Sequence, residues 1–259
     1  MVSSVGTRAL HEGFLLHSLA YSETSLIVEL FTREHGRIAA VAKGAKRKGS
    51  ALRSVLMPFQ PIEISLSGKS ELRTLTHAEW LGGMAMPVGD ALICGFYMNE
   101  LLIKLLAKED PNETIFEAYS QCLTSIAEDS LTGEKLDTSL RAFEWQLLRE
   151  IGYAPDLNVD QNGRQFEMHR DYRWVAGSGF YAEGFQVNEQ EALGRVQGKT
   201  LAALAALLSE SSTVDAAKML LSDATVRMQA KRLTRSVLNH ALDGQRLNSR
   251  QILIDLHRL

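Results

Sequence analysis

Cysteine and proline are scarce in this chain, with two cysteines and five prolines among 259 residues. Two thiols can supply neither a four-thiolate zinc site nor the disulfide framework that staples small secreted domains. Cys94 and Cys122 both fall in helical patterns, where a buried free thiol in a reducing compartment is the expectation. No apolar run approaches the ~20 residues needed to cross a bilayer. The segment from Met1 to Leu16 carries Arg8, His11 and Glu12 and has no unbroken apolar stretch, so a secretory signal is not expected there. These absences point to a cytoplasmic protein.

The signatures of bound nucleotide and of covalent catalysis are missing as well. Gly44 and Gly49 bracket a basic loop with no G-K-[S/T] after it, and Gly177-Ser178-Gly179 leads into aromatics rather than a helix. There is no G-x-S-x-G, neither cysteine stands beside a histidine, and no carboxylate pair stands out. The seven histidines (His11, His17, His35, His77, His169, His240 and His257) are scattered without ligand spacing. No catalytic residue, cofactor or metal is therefore expected.

What the chain does have is an uneven charge distribution. The formal net charge is -3, yet residues 1–80 hold ten Lys/Arg against seven Asp/Glu, and residues 227–259 hold seven against two. Residues 81–226 hold eleven against twenty-two, so two basic ends flank an acidic middle. The densest cluster is Lys43-Gly44-Ala45-Lys46-Arg47-Lys48-Gly49, within a stretch from Arg33 to Arg53 that carries seven cations and one acid, Glu34.

Period-2 alternation predicts five short strands in the first 80 residues. They span about Glu12–Ser18, Thr24–Phe31, Arg37–Ala42, Ile62–Leu66 and Glu71–His77, with turn signals at His35-Gly36 and Ser67–Ser70. Leu26, Val28 and Leu30 share one face, as do Leu72, Thr74 and Thr76. This pattern fits a small closed barrel. From Asp90 the period becomes helical. Helices are predicted from Ala91 to Lys108 with Leu92, Phe96, Leu101 and Leu105 on one face, from Pro111 to about Glu128, and from Ser139 to Ile151 behind an Asp137 or Thr138 cap. Further helices are predicted from Lys199 to Leu208, from Val214 to Ala241, and from Asn248 or Ser249 through His257. Residues 153–185 read as an irregular, aromatic-rich insertion (Tyr153, Phe166, Tyr172, Trp174, Phe180, Tyr181, Phe185), a length of loop that is functional or holds short strands of its own. The fold class is α+β: a barrel over 1–80, then a helical domain over 81–259.

Two basic surfaces are candidate phosphate sites. Arg33, Arg37, Lys43, Lys46, Arg47, Lys48 and Arg53 can line one groove of a five-stranded barrel and track a nucleic-acid backbone. The same residues also suit a solvated loop that keeps an edge strand soluble. Arg227, Lys231, Arg232 and Arg235 recur at helical spacing and, with Arg246 and Arg250, form either a second phosphate surface or a solvated helix face. Among the aromatics of the barrel, Phe31 and Phe59 suit the core, whereas Tyr21, at a strand end, suits exposure and base stacking.

Several short motifs resemble the RecO recombination mediators. They are Ser22-Glu23-Thr24-Ser25-Leu26, Phe31-Thr32, Gly36-Arg37 and Val41-Ala42-Lys43-Gly44-Ala45 in the barrel region. Asn99-Glu100-Leu101-Leu102, Leu140-Arg141-Ala142-Phe143-Glu144 with Leu147-Leu148 and Gly152-Tyr153, and Leu247-Asn248-Ser249-Arg250 follow in the family's order. The resemblance runs from about residue 8 to residue 257.

It implies an N-terminal OB-fold, an α-helical C-terminal domain and no bond-breaking activity. It also implies binding of single- and double-stranded DNA, annealing of complementary strands, and a cytoplasmic, nucleoid-associated place in the RecF pathway. The implied protein partners are RecR, the C-terminal tail of single-stranded-DNA-binding protein and, indirectly, RecA. Many relatives carry a four-cysteine zinc site where this chain has residues 153–185 without cysteine, so zinc is not carried over. For the acidic, hydrophobic-ended partner tail, Arg141 and Arg149 flanking Trp145 are the candidates, against a core role for Trp145. The alternative from another class is an RNA- or ribosome-associated module on the same barrel.

Overall fold

The alternating apolar positions of the first 80 residues turn inward to one small core. In a computed structural model, which describes residues 9–128, 133–184, 192–209, 222–249 and 251–252, five strands form there. They are β1 (His11–Ala20), β2 (Leu26–Thr32), β3 (Gly36–Ala42), β4 (Pro61–Ser67) and β5 (Leu72–Trp80). They close into a barrel in the order β1-β2-β3-β5-β4. β1–β2, β2–β3, β4–β5 and β1–β4 pair antiparallel, while β3 and β5 pair parallel from Ala39↔Leu72 to Ala42↔Leu75. This is an OB-like barrel.

Leu15, Val28, Leu30, Ala40, Ile62, Ile64 and Leu75 fill its interior. Each large side chain buried in this way is worth roughly 1.5–3 kcal/mol relative to exposure. In β5, Leu75 faces inward, while Leu72, Thr74 and Thr76, the side that alternation groups together, are exposed or half-buried. The β4–β5 register shifts between Ser65 and Leu66.

The chain divides into two compact units, Met1–Glu117 with Leu247–Leu259, and Ala118–Arg246. In the first, a short helix α1 (Ala51–Val55) stands between β3 and β4, and α2 (Asp90–Leu105) follows the barrel. The buried face of α2 is Cys94, Met98, Asn99, Leu101 and Leu102, rather than one through Phe96, which is 44% exposed and meets Phe59 edge-on at 4.9 Å. Asn99 is the reason for the rotation. Its Nδ2 donates to the Leu16 carbonyl of β1 at 2.9 Å, which holds that face of α2 against the barrel. At the β2–β3 turn, Gly36 takes φ 64°, and an added Cβ would lie 2.1 Å from the Asp110 carbonyl oxygen. Only glycine fits both the left-handed backbone and that approach.

The helix α3 (Glu113–Ile126) carries the expected buried stripe of Ile115, Tyr119, Cys122 and Ile126. In the second unit, α4 (Gly133–Glu150) starts six residues before the predicted first residue, Ser139. It ends as expected at Gly152, with φ 79°. The segment expected to be irregular holds β6 (Asp171–Val175) and β7 (Gly179–Ala182), which join β8 (Ala192–Gln197) in a sheet ordered β7-β6-β8. α5 (Gly198–Leu207) and α6 (Ala224–Ala241) complete this unit. Asp223 caps α6, accepting from the Thr225 and Val226 N–H groups. The predicted start of α6 at Val214, and most of the last helix, lie outside the described residues. Cys94 and Cys122 are buried free thiols.

Glu100, beside Asn99, ties the residues after the second unit back to the first. Its carboxylate accepts from the Asn248 N–H at 2.9 Å, and from the Ser249 N–H at 2.9 Å and hydroxyl at 2.7 Å. Burial pushes its pKa up, but these donors, with Lys104, outweigh burial and hold it below the ordinary carboxylate value of 4.5. A depressed carboxylate stabilises the fold above its unfolded pKa and loses that contribution as pH falls through the folded value. Glu100→Gln is expected to cost about 1–3 kcal/mol in urea unfolding at neutral pH. The gap between wild type and E100Q should close as the pH falls below 4.5. A gap that stays constant down to pH 3 contradicts the assignment.

Candidate nucleic-acid interface

The connection from β3 to α1 is basic, ordered and open to solvent. Ala45, at its centre, is 1% exposed and packs into the barrel core. Around that anchor the backbone runs through successive turns, with Arg47 N–H donating to Gly44 O at 3.0 Å and Ser50 N–H to Arg47 O at 3.1 Å. Gly44 and Gly49 take φ 73° and 80°. Lys43, Lys46, Arg47, Lys48 and Arg53 are all exposed. None of these five has a carboxylate partner among the described residues.

Lys46 joins this loop to the β1–β2 connection. Its N–H donates to Thr24 O at 3.0 Å and its Nζ to Ser22 O at 2.9 Å. Tyr21, 59% exposed, lies in that same connection, beside Ser22. An exposed ring next to unpaired cations is the composition of a single-strand site, because the cations follow phosphates and the ring stacks on a base. Phe14, Phe31 and Phe59 are fully buried and cannot do so. The barrel is closed, so the loop guards no free edge strand, and that explanation of its charges falls away.

Arg33 and Arg37, grouped with the loop by sequence, are engaged in packing. The Arg33 guanidinium pairs with Glu117, with Glu12 at 3.0 Å and with Glu113 at 3.1 Å, and lies 4.6 Å over the Phe116 ring. The Glu117 hydrogen bond, followed by that of Glu12, overcomes burial and raises its pKa further. Arg37 donates from Nε and one Nη to the Leu106 carbonyl at the end of α2, and its other Nη pairs with Glu29 at 3.3 Å. Both attach helical segments to the β2–β3 hairpin.

The cations of α6 are a mixed set. Arg227 pairs with Glu134 at 3.1 Å and also donates to the Ser222 carbonyl, and Lys231 stands 3.9 Å from Asp137. Arg232 and Arg235 are exposed, as is Arg246, while Arg250 lies outside the described residues. Arg227 and Lys231 share the wall of a small cavity with Arg141, Asp137, Thr138 and Ala230. Arg141 is 9% exposed, bonded to Glu144 through one Nη at 2.9 Å, and its Nε is buried without an acceptor.

The grouping of Arg141, Trp145 and Arg149 around a tail pocket needs correction. Trp145 is fully buried, and its Nε1 donates to Thr234 Oγ1 of α6 at 2.9 Å. It holds α4 to α6 and offers no surface. Arg149 is exposed and donates to the Leu208 carbonyl at 3.2 Å. Sequence reasoning missed that Arg141 meets Arg227 and Lys231, which lie 86 or more positions away in the chain. It also passed over Glu63, His77 and Glu79, whose ligand atoms lie within 4.8 Å of one another and could hold a cation.

Two family models match this chain in tandem. One, described as Recombination protein O N terminal, matches residues 8–84. The other, described as Recombination protein O C terminal, matches residues 86–251. A DNA repair protein RecO of Polynucleobacter asymbioticus is 45% identical over 249 residues, covering 95% of this chain and 96% of its own length. One of Burkholderia pseudomallei is 46% identical over 246 residues, covering 95% of this chain and 83% of its own. One of Laribacter hongkongensis is 39% identical over 248 residues, covering 96% and 95%.

The Trp145 geometry yields a stability test. Trp145→Phe removes the bond to Thr234 and leaves a void, at an expected cost of about 2–4 kcal/mol in urea unfolding. Arg149→Ala, on the exposed side of the same helix, should change stability by less than about 1 kcal/mol. Equal costs for the two would contradict the core role of Trp145.

Proposed function

The chain belongs to the RecO family of DNA repair proteins, and on that premise we propose that it is a non-enzymatic recombination mediator. It binds single- and double-stranded DNA, anneals complementary strands and helps load the RecA recombinase onto DNA coated by single-stranded-DNA-binding protein. It acts in the cytoplasm at the nucleoid, with RecR as a partner.

The observation that carries this reading is the set of five exposed cations, four on the β3–α1 loop and Arg53 in α1, without carboxylate partners among the described residues, with Tyr21 in the connection that Lys46 holds. Lys43, Lys46, Arg47, Lys48 and Arg53 neutralise successive phosphates of one strand, and Tyr21 stacks on a base, worth roughly 1–3 kcal/mol. Arg33 and Arg37 support the loop's scaffold rather than the DNA. Arg232 and Arg235 of α6 contact a second strand or extend the first, and Arg227 and Lys231 join them where phosphate competes with Glu134 and Asp137. Neutralising phosphates on two complementary strands lowers the repulsion that opposes annealing, and no nucleotide hydrolysis enters.

With five phosphates neutralised, log K for single strands falls with log[salt] at a slope of about -3.5. Replacing Lys46, Arg47 and Lys48 together with Ala should weaken binding and reduce that slope by about 2. Fluorescence-anisotropy titrations at several salt concentrations read both quantities. An unchanged slope removes the loop from the interface.

For the partner tail, the acidic residues of the peptide lodge against Arg141, Arg227 and Lys231. The buried, unpaired Nε of Arg141 supports this placement. Arg227→Ala/Lys231→Ala is the cleaner variant, because Arg141→Ala would remove the ion-pair partner of the buried Glu144 carboxylate. Tail-peptide affinity should fall about fivefold or more. Equal affinity moves the site elsewhere.

A further inference from the structure

The outer face of the barrel carries a row of carboxylates on three adjacent strands. Ile62 and Ile64 of β4 point into the core, so Glu63 between them points out. Glu12 of β1 stands opposite Glu63, and Glu63 stands opposite Glu79 of β5. Residues directly opposite share a face, and like charges so placed repel. Arg33 answers Glu12. Among the described residues, no Lys or Arg pairs with Glu63 or Glu79. What stands with them is His77, two positions before Glu79 on β5 and therefore on the same face.

The three side chains converge. One oxygen of each carboxylate and one His77 ring nitrogen lie within 4.8 Å of one another. His77 Nε2 and Glu79 Oε2 are 3.5 Å apart, longer than the roughly 2.7–3.2 Å of a hydrogen bond. Two ligands each about 2.1 Å from one tetrahedral ion stand about 3.4 Å from each other. The spacing is that of donors sharing an ion, not of groups bonded to one another. Paired strands hold all three residues, with Glu63 opposite Glu79 and Ser65 opposite His77, so the backbone beneath the donors is fixed.

The donor set decides the class of ion. A pair of carboxylates alone suits magnesium or calcium, hard ions that take oxygen ligands. Imidazole suits zinc, copper, iron and nickel. One ring nitrogen with two carboxylate oxygens falls within the mixed donor sets that zinc accepts. Two carboxylates also bring the charge that a divalent ion neutralises. No thiolate takes part, and the three residues lie in the barrel, separate from residues 153–185.

We propose that Glu63, His77 and Glu79 bind one divalent transition-metal ion of the zinc class, which pins β4 to β5 across the strand pair. Each carboxylate gives one oxygen, and His77 gives one ring nitrogen. Without the ion, the Glu63–Glu79 pair works against the hairpin. With it, the same two charges hold the hairpin together. Three protein ligands leave a coordination position to water. The site does not depend on the DNA-binding loop.

Calorimetric titration of the full chain with Zn²⁺, in buffer holding excess Mg²⁺, should show saturable binding. His77→Ala should weaken it by more than about tenfold, since losing a residue that only hydrogen-bonds a ligand already costs about 10–100-fold. Glu63→Gln/Glu79→Gln keeps both shapes but removes the charge. It should abolish the site and raise the urea midpoint of the metal-free protein. Trp80, next to Glu79 and 52% exposed, reports the location. Co²⁺ should broaden its indole N–H resonance, assigned by Trp80→Phe, in the wild type and not in the double glutamine variant. The proposal is overturned if no Zn²⁺ binds or if Mg²⁺ displaces it at equal concentration, which is general attraction to an acidic face. Equal affinity in His77→Ala or in the double variant also overturns it. The ion would then sit at other histidines, such as His11 and His35, whose Nε2 atoms are 3.3 Å apart.

Discussion

Closure of the five-stranded barrel is the constraint from which the N-terminal unit follows. β1 completes the ring by pairing with β4, and β3 lies parallel to β5. Parallel neighbours cannot be joined by a tight turn. The chain therefore leaves β3, crosses to β4, and reaches β5 through a hairpin. The crossing between β3 and β4 is the segment that holds the cations, and it is long enough to include α1. The basic loop is thus a requirement of the topology before it is a binding element. Ala45 seats it on the core, and Lys46 seats it on the neighbouring connection.

The same ring explains why cations that look alike in sequence have different roles. Arg33 and Arg37 flank the β2–β3 turn, where α2 and the first turn of α3 come to lie. Carboxylates and a carbonyl are waiting there. Among the described residues, the cations of the β3–α1 loop have no carboxylate neighbours. The difference between an occupied guanidinium and an available one comes from residues such as Glu113 and Glu117, 80 and 84 positions further on. No local pattern around Arg33 announces them.

Much of the fold was legible where periodicity and burial agree. The five strands lie within a few residues of where alternation put them, because a barrel buries one face of every strand. Helix α2 was less legible. Its apolar residues outnumber one face, and the choice between the Phe96 and Met98 sides was made by Asn99 bonding to Leu16. The β6–β7 hairpin was hidden because its aromatics are buried among one another (Phe166 meets both Tyr172 and Phe180), which reads in sequence as irregular richness. At the candidate site, the exposed loop was legible from charge alone. The burial of Trp145 was not, since a helical tryptophan beside arginines suits a core and a groove equally until its Nε1 finds Thr234. Two motifs quoted as family likenesses, Asn99-Glu100 and Leu247-Asn248-Ser249, turn out to be the two halves of one hydrogen-bonded contact.

That contact sets an order of assembly. Glu100 and Asn248 are separated by 148 positions, and nearly all of the intervening chain after Glu117 belongs to the other unit. On a ribosome, the barrel and α2 emerge first and can close without the rest. Glu100 then waits with its carboxylate toward water until the whole second unit has been synthesised. The N-terminal unit is the first to begin folding and the last to finish. The loop its final contact must close is shortest in effective length once the second unit has already collapsed.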